Sequence, residues 1–532
     1  MEKLFWRIFT KRCLICFFVI IFLLFTCILR IAEICSKNYS EVQANLSSIK
    51  IEIAKQRGTI FDCNGYPLTN NKKKIIACVS PTPRAITAIS TVLKGEALEN
   101  VLETLKNEKP AICEVPKKIL CDGIICTEIY TNDNYIPAIH TIGYSDSDNN
   151  GACGLEKAYN SLLKNTKSLT IRYACDGKGR ILQGVEPTIQ NKISPLSFGV
   201  VSTIDINIQN IVENAAENLT KGAIIVANVD TAKIRGIVSV PTFTLDKIEN
   251  ILNDAHTPLY NRTLGAYNVG SVFKLCVAAS AIENGYEKFS YNCKGSFKII
   301  DRTFKCHNLS GHGINNLNSA ISESCNTYFY NLGIKSGANN LLETASNLNF
   351  GKSIRICNDI STAKGTLPTL EKLQNIAHLA NFSIGQGEFT ATPISLLPLY
   401  CAIATDGKYY MPSIVEGTTQ NGNLTKYDYG SPTRVFSKST ADKLKDALRL
   451  VVTDGTGVLA NPKTVTAAGK TATAQTGKFQ NGKEIESSWF CGFFPFEKPK
   501  YAVVVFAENK SLISKPCAQI FAEIADKISQ IN

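Results

Sequence analysis

No residue from Cys13 to Leu29 carries a charge. As a helix, residues 13–32 extend about 30 Å at roughly 1.5 Å per residue, enough to cross the hydrocarbon core of a bilayer. Lys3, Arg7, Lys11 and Arg12 precede the run against a single Glu2. The positive-inside bias therefore predicts a cytoplasmic tail at residues 1–12 and an extracytoplasmic remainder. A cleaved signal peptide is the alternative, but no small-x-small site follows the apolar run, and Leu24-Phe25-Thr26-Cys27 is a poor lipid-attachment box. Residues 1–35 are thus expected to form a short tail and a single-pass anchor.

The chain's 532 residues exceed what one hydrophobic core holds, so two or three domains are expected. With 44% hydrophobic and 19% charged residues the composition is that of a globular protein. The net charge of +12 is spread along the chain, with Lys72-Lys73-Lys74 as a short run and no basic stripe interleaved with aromatics. That pattern argues against nucleic acid and suits an exterior facing an anionic wall or membrane. Of the 19 cysteines, Cys13, Cys16, Cys27 and Cys35 belong to the anchor region. The other fifteen cannot all pair and form no small disulfide scaffold, so most read as buried small apolar residues.

Residues 40–55 are polar and helix-compatible, a stalk leaving the membrane. Arg57-Gly58-Thr59-Ile60-Phe61-Asp62-Cys63-Asn64-Gly65-Tyr66-Pro67-Leu68 reads as strand, Asn-Gly turn, strand. His140-Thr141-Ile142-Gly143-Tyr144 and Gly151-Ala152-Cys153-Gly154-Leu155-Glu156 form a second ordered patch. Nothing in residues 36–195 pairs a nucleophile with a base, so this part reads as a β-rich positioning domain.

From residue 196 the pattern changes. A helix is expected over about 207–219, then a hairpin from the β-rich runs 223–229 and 234–240. Helical segments follow, through 338–406 and 437–453. Strands are expected over 464–478, 489–496 and 501–508, and Ala518, Phe521, Ile524, Ala525 and Ile528 lie at helical spacing near the end. Two strands, a helical insert, three strands and a last helix predict an α+β domain: one antiparallel sheet with helices on both sides.

Inside the insert, Gly270 breaks the chain and Ser271 opens an apolar helical run that stops at Asn284-Gly285. Lys274 lies three residues on, on the same face. A serine hydroxyl is a weak nucleophile that needs a base within hydrogen-bond reach, and burial lowers a lysine's pKa toward a useful value. A helix N-terminus would help a developing oxyanion. Ser-x-x-Lys also occurs at Ser47, Ser161 and Ser361, so the tetrad says little alone. It gains meaning from Ser324-Cys325-Asn326, which offers a hydroxyl and a carboxamide, and from Lys470-Thr471-Ala472-Thr473 in a β-rich run. The order Ser-x-x-Lys, Ser-x-Asn, Lys-Thr-small, with separations of 53 and 146 residues, is the set found in β-lactamases and penicillin-binding proteins.

With these motifs the chain resembles a class B penicillin-binding protein, a monofunctional peptidoglycan D,D-transpeptidase. Arg57-Gly58, Asp62-x-Asn64-Gly65 and Gly154-Leu155-Glu156 look like the family's pedestal motifs. Thr203-Ile204-Asp205, Asn261-Arg262, Gly311-His312-Gly313, Ser383-Ile384-Gly385-Gln386-Gly387, Thr392-Pro393, Gly455-Thr456-Gly457 and Trp489-Phe490-x-Gly492 match as well. The resemblance implies a pedestal over 36–195 and, over 196–532, a transpeptidase domain with a five-stranded antiparallel sheet and an all-helical subdomain. It implies that Ser271 attacks the penultimate D-Ala carbonyl of a stem pentapeptide, that Lys274 takes the serine proton, and that Ser324 relays protons. Asn326 would hold the donor peptide and orient Lys274, and Lys470 would supply positive field. Thr471 and Thr473 would bind the terminal carboxylate beside Ala472, with the N–H groups of Ser271 and Thr473 as oxyanion hole. β-Lactams would acylate the same serine. A membrane glycosyltransferase is the implied partner, and neither metal nor cofactor is called for. Two departures stand out: Ala472 replaces a commoner glycine, and Asn268-Val269-Gly270 replaces the usual Pro-Pro-Gly.

Two other functions share some of these features. A β-lactamase or β-lactam sensor has the serine motifs without the pedestal patches, and a non-catalytic scaffold of the division or sporulation machinery would have no need of an intact trio. His307 and His312 near Cys293 and Cys306 raise zinc, but their spacing fits no common site. A disulfide from Cys325 to Cys306 or Cys293, which would twist the Ser324 motif, and plain burial of Cys325 are the other readings.

Overall fold

The computed structural model describes residues 2–36, 47–164, 168–182, 185–192, 194–299 and 301–531. The chain divides into two compact units. The first comprises residues 1–55, 74–129 and 167–193, and the second comprises 56–73, 130–166 and 194–532. The expected pedestal segment 36–195 therefore contributes to both.

In the first unit, Glu2–Ser36 is one continuous helix, and Trp6–Cys35 is long and apolar enough to cross a membrane, with a mean hydropathy of 2.9. The Thr26 hydroxyl donates to the Leu23 carbonyl at 2.8 Å, which hides a polar group that lipid could not satisfy. Residues 40–46 of the expected stalk lie outside the described residues. Its remainder is not helical: Ser48–Ala54 is a strand, antiparallel to Leu169–Ala174 with Ile51 opposite Ile171. A partner some 120 residues away supplies the ladder that local polarity could not announce. A second sheet holds Lys72–Val79 between Ala111–Val115 and Ile124–Thr131. Its core of Ala77, Val79, Ile89, Val101 and Leu105 is closed by helices Pro83–Val92 and Glu96–Lys106.

The second unit is built on five antiparallel strands: β1 (Gly222–Asn228), β2 (Ile234–Val240), β3 (Ala468–Gln480), β4 (Lys483–Phe494) and β5 (Tyr501–Ala507), in the order β2-β1-β5-β4-β3. Seven of its helices are α1 (Ile206–Ala216), α2 (Lys274–Glu283), α3 (Leu317–Ser322), α4 (Asn326–Ser336), α5 (Pro393–Ala404), α6 (Lys438–Thr453) and α7 (Cys517–Ile531). Side chains alternate along a strand, so Ile224, Val226, Val503 and Val505 meet α1 and α7. Ile225, Ala227, Val504 and Phe506 join the larger core on the other face, which includes α2 and α5. Burial on both faces explains why these strands read as unbroken apolar runs. Helix α2 is mostly apolar, and every residue from Lys274 to Ala281 is buried, as expected of a central helix.

The motifs that begin at Arg57 and at Gly154 meet in this unit. The Arg57 guanidinium pairs with the Glu156 carboxylate, donates to the Glu156 carbonyl at 2.8 Å and the Asn149 carbonyl at 2.9 Å, and reaches Asn160 Oδ1 at 3.0 Å. Burial raises the Glu156 carboxyl above its usual range while Arg57 pulls it back. The expected Asn-Gly hairpin is different in form. Thr59–Phe61 pairs in parallel with Phe198–Ser202, and the return is one bridge between Phe61 and Pro67. Asp62 Oδ1 takes the N–H groups of Asn64 and Tyr66 into a tight turn, and Pro67 has no N–H to extend a ladder.

Candidate active site

Ser271 sits in a 3₁₀ turn, Gly270–Phe273, that feeds directly into α2. In such a turn residues three apart eclipse, so Lys274 stands over Ser271 and its N–H bonds the Ser271 carbonyl. Gly270 has φ +61°, and a Cβ there would lie 2.9 Å from the Thr473 carbonyl oxygen. On the other side, the Gly270 N–H donates to the Gly385 carbonyl at 3.0 Å. Gly385 has φ +72°, and its own Cβ would lie 2.2 Å from the Gly270 oxygen. The turn that carries Ser271 is therefore clamped between the β3 edge strand and the Ser383–Gly387 loop, with no room on either flank. The loop before it is held as firmly. All five donors of the buried Arg262 are used, one on Glu508 at 3.0 Å and the rest on residues 256–260. Trp489 Nε1 donates to the Asn268 carbonyl at 3.1 Å.

Lys274 has no solvent exposure. Its Nζ donates to the Ser324 carbonyl and to Asn326 Oδ1, both at 2.7 Å, and lies 3.3 Å from Ser324 Oγ and 5.3 Å from the centre of the Phe329 ring. Burial pushes its pKa from 10.5 down to about 7, with the neighbouring Cys325 and Cys306 acting in the opposite direction. A neutral amine has two hydrogens and one lone pair. The two short bonds take both hydrogens and leave the lone pair as a proton acceptor.

Ser324 closes α3 in the left-handed region, with φ +56°, and Cys325 caps the start of α4. A serine in that conformation costs on the order of 1 kcal/mol and persists where surrounding structure dictates it. The kink turns the Ser324 carbonyl, Ser324 Oγ and Asn326 Oδ1 toward one amine.

The third motif lies on β3, at the edge of the sheet. Lys470 is buried, and burial together with the charge of Lys274 holds its pKa well below the usual lysine value. Thr471 and Thr473 emerge on the opposite face of the strand, and Thr471 Oγ1 is 3.0 Å from Thr456 Oγ1. Ala472 points the other way, into the core that holds Trp489, so its methyl group does not narrow the cleft. The structure thus joins Lys274, Ser324 and Asn326 by hydrogen bonds next to Ser271 and sets the Lys470–Thr473 strand against the turn that carries Ser271. Thr456, Gly385 and the Arg262–Glu508 pair complete the frame. Their motifs stand out in the sequence, but their tasks depend on contacts made across the fold.

A serine in the turn that opens a buried helix, a desolvated lysine three residues on and an open sheet edge are the features of an active-serine acyltransferase of the penicillin-recognising fold. The family described as "Penicillin binding protein transpeptidase domain" matches residues 222–529. The stage V sporulation protein D of Bacillus subtilis is 27% identical over 85% of this chain and 74% of its own length. The peptidoglycan D,D-transpeptidase FtsI of Buchnera aphidicola is 25% identical over 92% of this chain and 89% of its own. A structure described as coordinating polymerization and crosslinking in a peptidoglycan synthase complex shares the fold, at a TM-score of 0.70 and 21% identity over 97% of both chains. The chain belongs to the penicillin-binding protein transpeptidase family, among its class B members.

Proposed function

We propose that this protein cross-links peptidoglycan as a membrane-anchored serine D,D-transpeptidase. The observation that carries the reading is Lys274: an amine with no solvent contact, both hydrogens bound, and a pKa near 7. At neutral pH about half the molecules then hold a general base one turn from Ser271. Ser271 Oγ attacks the penultimate D-Ala carbonyl of a stem pentapeptide, and its proton passes to Lys274. The N–H groups of Ser271 and Thr473 take the oxyanion. Ser324 carries the proton to the departing terminal D-Ala, whose carboxylate Thr471 and Thr473 bind in the field of Lys470. An amine from a neighbouring stem then attacks the ester, its proton returning through Lys274, and Ser271 is freed as the cross-link forms. A β-lactam would acylate Ser271 by the same route.

The basic tail before the apolar helix supports an N-terminus in the cytoplasm and a catalytic unit outside. The limits 1–35 for the anchor, 36–195 for the pedestal and 196–532 for the transpeptidase domain are part of the proposal. So is a membrane glycosyltransferase as partner, a reading supported by the related synthase complex. The test is time-resolved labelling of the detergent-solubilised chain by a fluorescent penicillin, against Ser271→Ala. Stable label lost in the variant supports the assignment. Label that turns over rapidly would mark a β-lactamase, and absence of label would mark a scaffold.

A further inference from the structure

At the sheet edge away from β3, the turn between β1 and β2 meets the segment 409–433, and a cleft of about 420 Å³ opens between them. Tyr409, Tyr410, Tyr427 and Tyr429 line it with Lys233 and Ser413. The acyl transfer uses none of these. In the order β2-β1-β5-β4-β3, the strand that ends this turn lies four spacings from the strand beside Ser271, about 19 Å, so the cleft is separate from the acyl-transfer centre. A second cleft of about 470 Å³ adjoins the first, since Tyr427 and Tyr429 line both. There Tyr427 faces Tyr159, with ring planes 20° apart and ring centres 6.5 Å apart. The two clefts make one track with aromatic rings repeated along it.

The walls are fixed in place. Tyr429 Oη donates to the Val415 carbonyl at 2.7 Å, the Tyr427 N–H donates to the Glu416 carbonyl at 2.8 Å, and Tyr409 pairs with Thr433 across a short antiparallel ladder. The Ser413 carbonyl accepts from the Ile234 N–H at 3.0 Å and from the Thr203 hydroxyl at 3.2 Å. The Ser413 hydroxyl is different. The residue is 1% exposed and lines the cleft, yet its Oγ has no hydrogen-bond partner among the described residues. A buried hydroxyl left unpaired is costly, and a bound group that pairs with it removes that cost. Charge narrows the class of ligand. Among the described residues that line the first cleft, Lys233 alone is ionised at neutral pH, and its Nζ is held by the Glu416 carboxylate at 2.5 Å. A lysine repels a cationic ligand, and a neutralised one offers little to an anion.

A neutral ligand with flat apolar faces and a polar rim fits what is left. Pyranose rings have that form: their C–H faces stack on aromatic rings while hydroxyl and acetamido groups reach the edges. Tyr410 and Tyr427 are half-buried and keep ring area open to solvent. Asn349 also lines the first cleft and supplies a carboxamide that both donates and accepts. In the second cleft Arg355 and Lys426 outnumber Asp428, which suits the carboxylates borne by alternate sugars of a peptidoglycan strand. We infer that this track binds the glycan strand of peptidoglycan, with sugar rings stacked on Tyr410 and Tyr427 and an acetamido group paired with Ser413 Oγ. The choice of polymer rests on the cross-linking reaction proposed above. A strand held at this edge raises the local concentration of its stems at Ser271 without adding a group to the reacting centre.

The test uses the full chain in a detergent without a sugar headgroup. The probes are stem-free peptidoglycan glycan strands, chitotetraose, and cellotetraose, which lacks the acetamido groups. Calorimetric titration and saturation-transfer NMR should show the glycan strands and chitotetraose bound with a Kd below about 1 mM, and cellotetraose at least tenfold weaker. Tyr410→Ala/Tyr427→Ala should weaken both N-acetylated probes at least tenfold. Tyr410→Phe/Tyr427→Phe, which keeps the rings, should stay within threefold of wild type, as should Tyr135→Ala at an exposed tyrosine outside the track. Ser413→Ala, a change too small to threaten folding, should erase the preference for chitotetraose over cellotetraose. Circular dichroism melting checks that each variant is folded. A wild-type chain that binds no N-acetylated probe would overturn the inference. So would cellotetraose bound as well as chitotetraose, full binding by the double alanine variant, or binding lost as the chain self-associates, which would assign the cleft to a second copy. Binding is read without penicillin, so a chain that takes the glycan but is never labelled at Ser271 would refute the cross-linking reaction and leave the site standing.

Discussion

Gly385→Ala puts a methyl group behind the nucleophile without touching any reacting group. The new Cβ would lie 2.2 Å from the Gly270 carbonyl oxygen and 2.9 Å from Phe273 Cβ, at a position with φ +72°. Ordinary contact begins near 3.4 Å, so the turn carrying Ser271 must give way by about 1 Å. A displacement of that size at a reacting atom costs on the order of 10²-fold in rate. Left-handed backbone adds about 1 kcal/mol for alanine over glycine, a loss of roughly 2 °C in Tm for a domain this large. Gly387→Ala separates the two effects. It has φ +80° in the same loop, but its Cβ would meet only Asn381 Cβ, at 3.5 Å. Both variants should melt a few degrees lower. Only Gly385→Ala should lose about 100-fold in the second-order rate of penicillin acylation, measured by stopped labelling and gel fluorescence below both melting points. If Gly385→Ala acylates within threefold of wild type, or if Gly387→Ala falls as far, the clamp does not position Ser271.

The acylation rate should rise with pH along a single-proton limb of apparent pKa about 7, since Lys274 accepts a proton only when neutral and burial lowers its pKa. A pH–rate profile flat from 5.5 to 8.5 would remove Lys274 as the base. Ser324→Gly should raise Tm by a degree or two through relief of its left-handed backbone, about 1 kcal/mol, while acylation slows at least tenfold; calorimetry and labelling read the two halves separately. Arg57→Ala strands the buried Glu156 carboxylate and should cost about 3–5 kcal/mol, seen as a lower melting temperature, with acylation per folded molecule unchanged.

The parts of this fold that were legible in the sequence are those whose burial is complete. Strands β1 and β5 are legible because both faces are covered, and α2 because it is buried on nearly every side. The Ser271, Ser324 and Lys470 motifs could be found in order, but their mutual geometry could not. The positive φ of Ser324, the back-to-back glycines at 270 and 385, and the inward turn of the Ala472 methyl arise from packing between separate segments, 50 residues apart for Lys274 and Ser324 and 115 apart for the two glycines. Ser48–Ala54 reads locally as a helix-compatible stalk because its pairing strand, Leu169–Ala174, lies far along the chain. The Thr59–Phe61 strand looked like half a hairpin, yet it takes Phe198–Ser202 as its parallel neighbour.

That parallel neighbour sets a limit on how the molecule can be cut and made. Thr59 pairs with Gly199, 140 positions later in the chain. A fragment starting at residue 196 would bare one side of Phe198–Ser202 and lose the Arg57–Glu156 bolt, so a soluble catalytic piece has to begin before Gln56. On the ribosome, at about 5–20 residues per second, Thr59–Phe61 waits roughly 7–30 s for its neighbour, and β1 waits longer still for β5. Both strands are therefore made long before the neighbours that cover them, and a chaperone that shields unpaired edges would act on them during biogenesis.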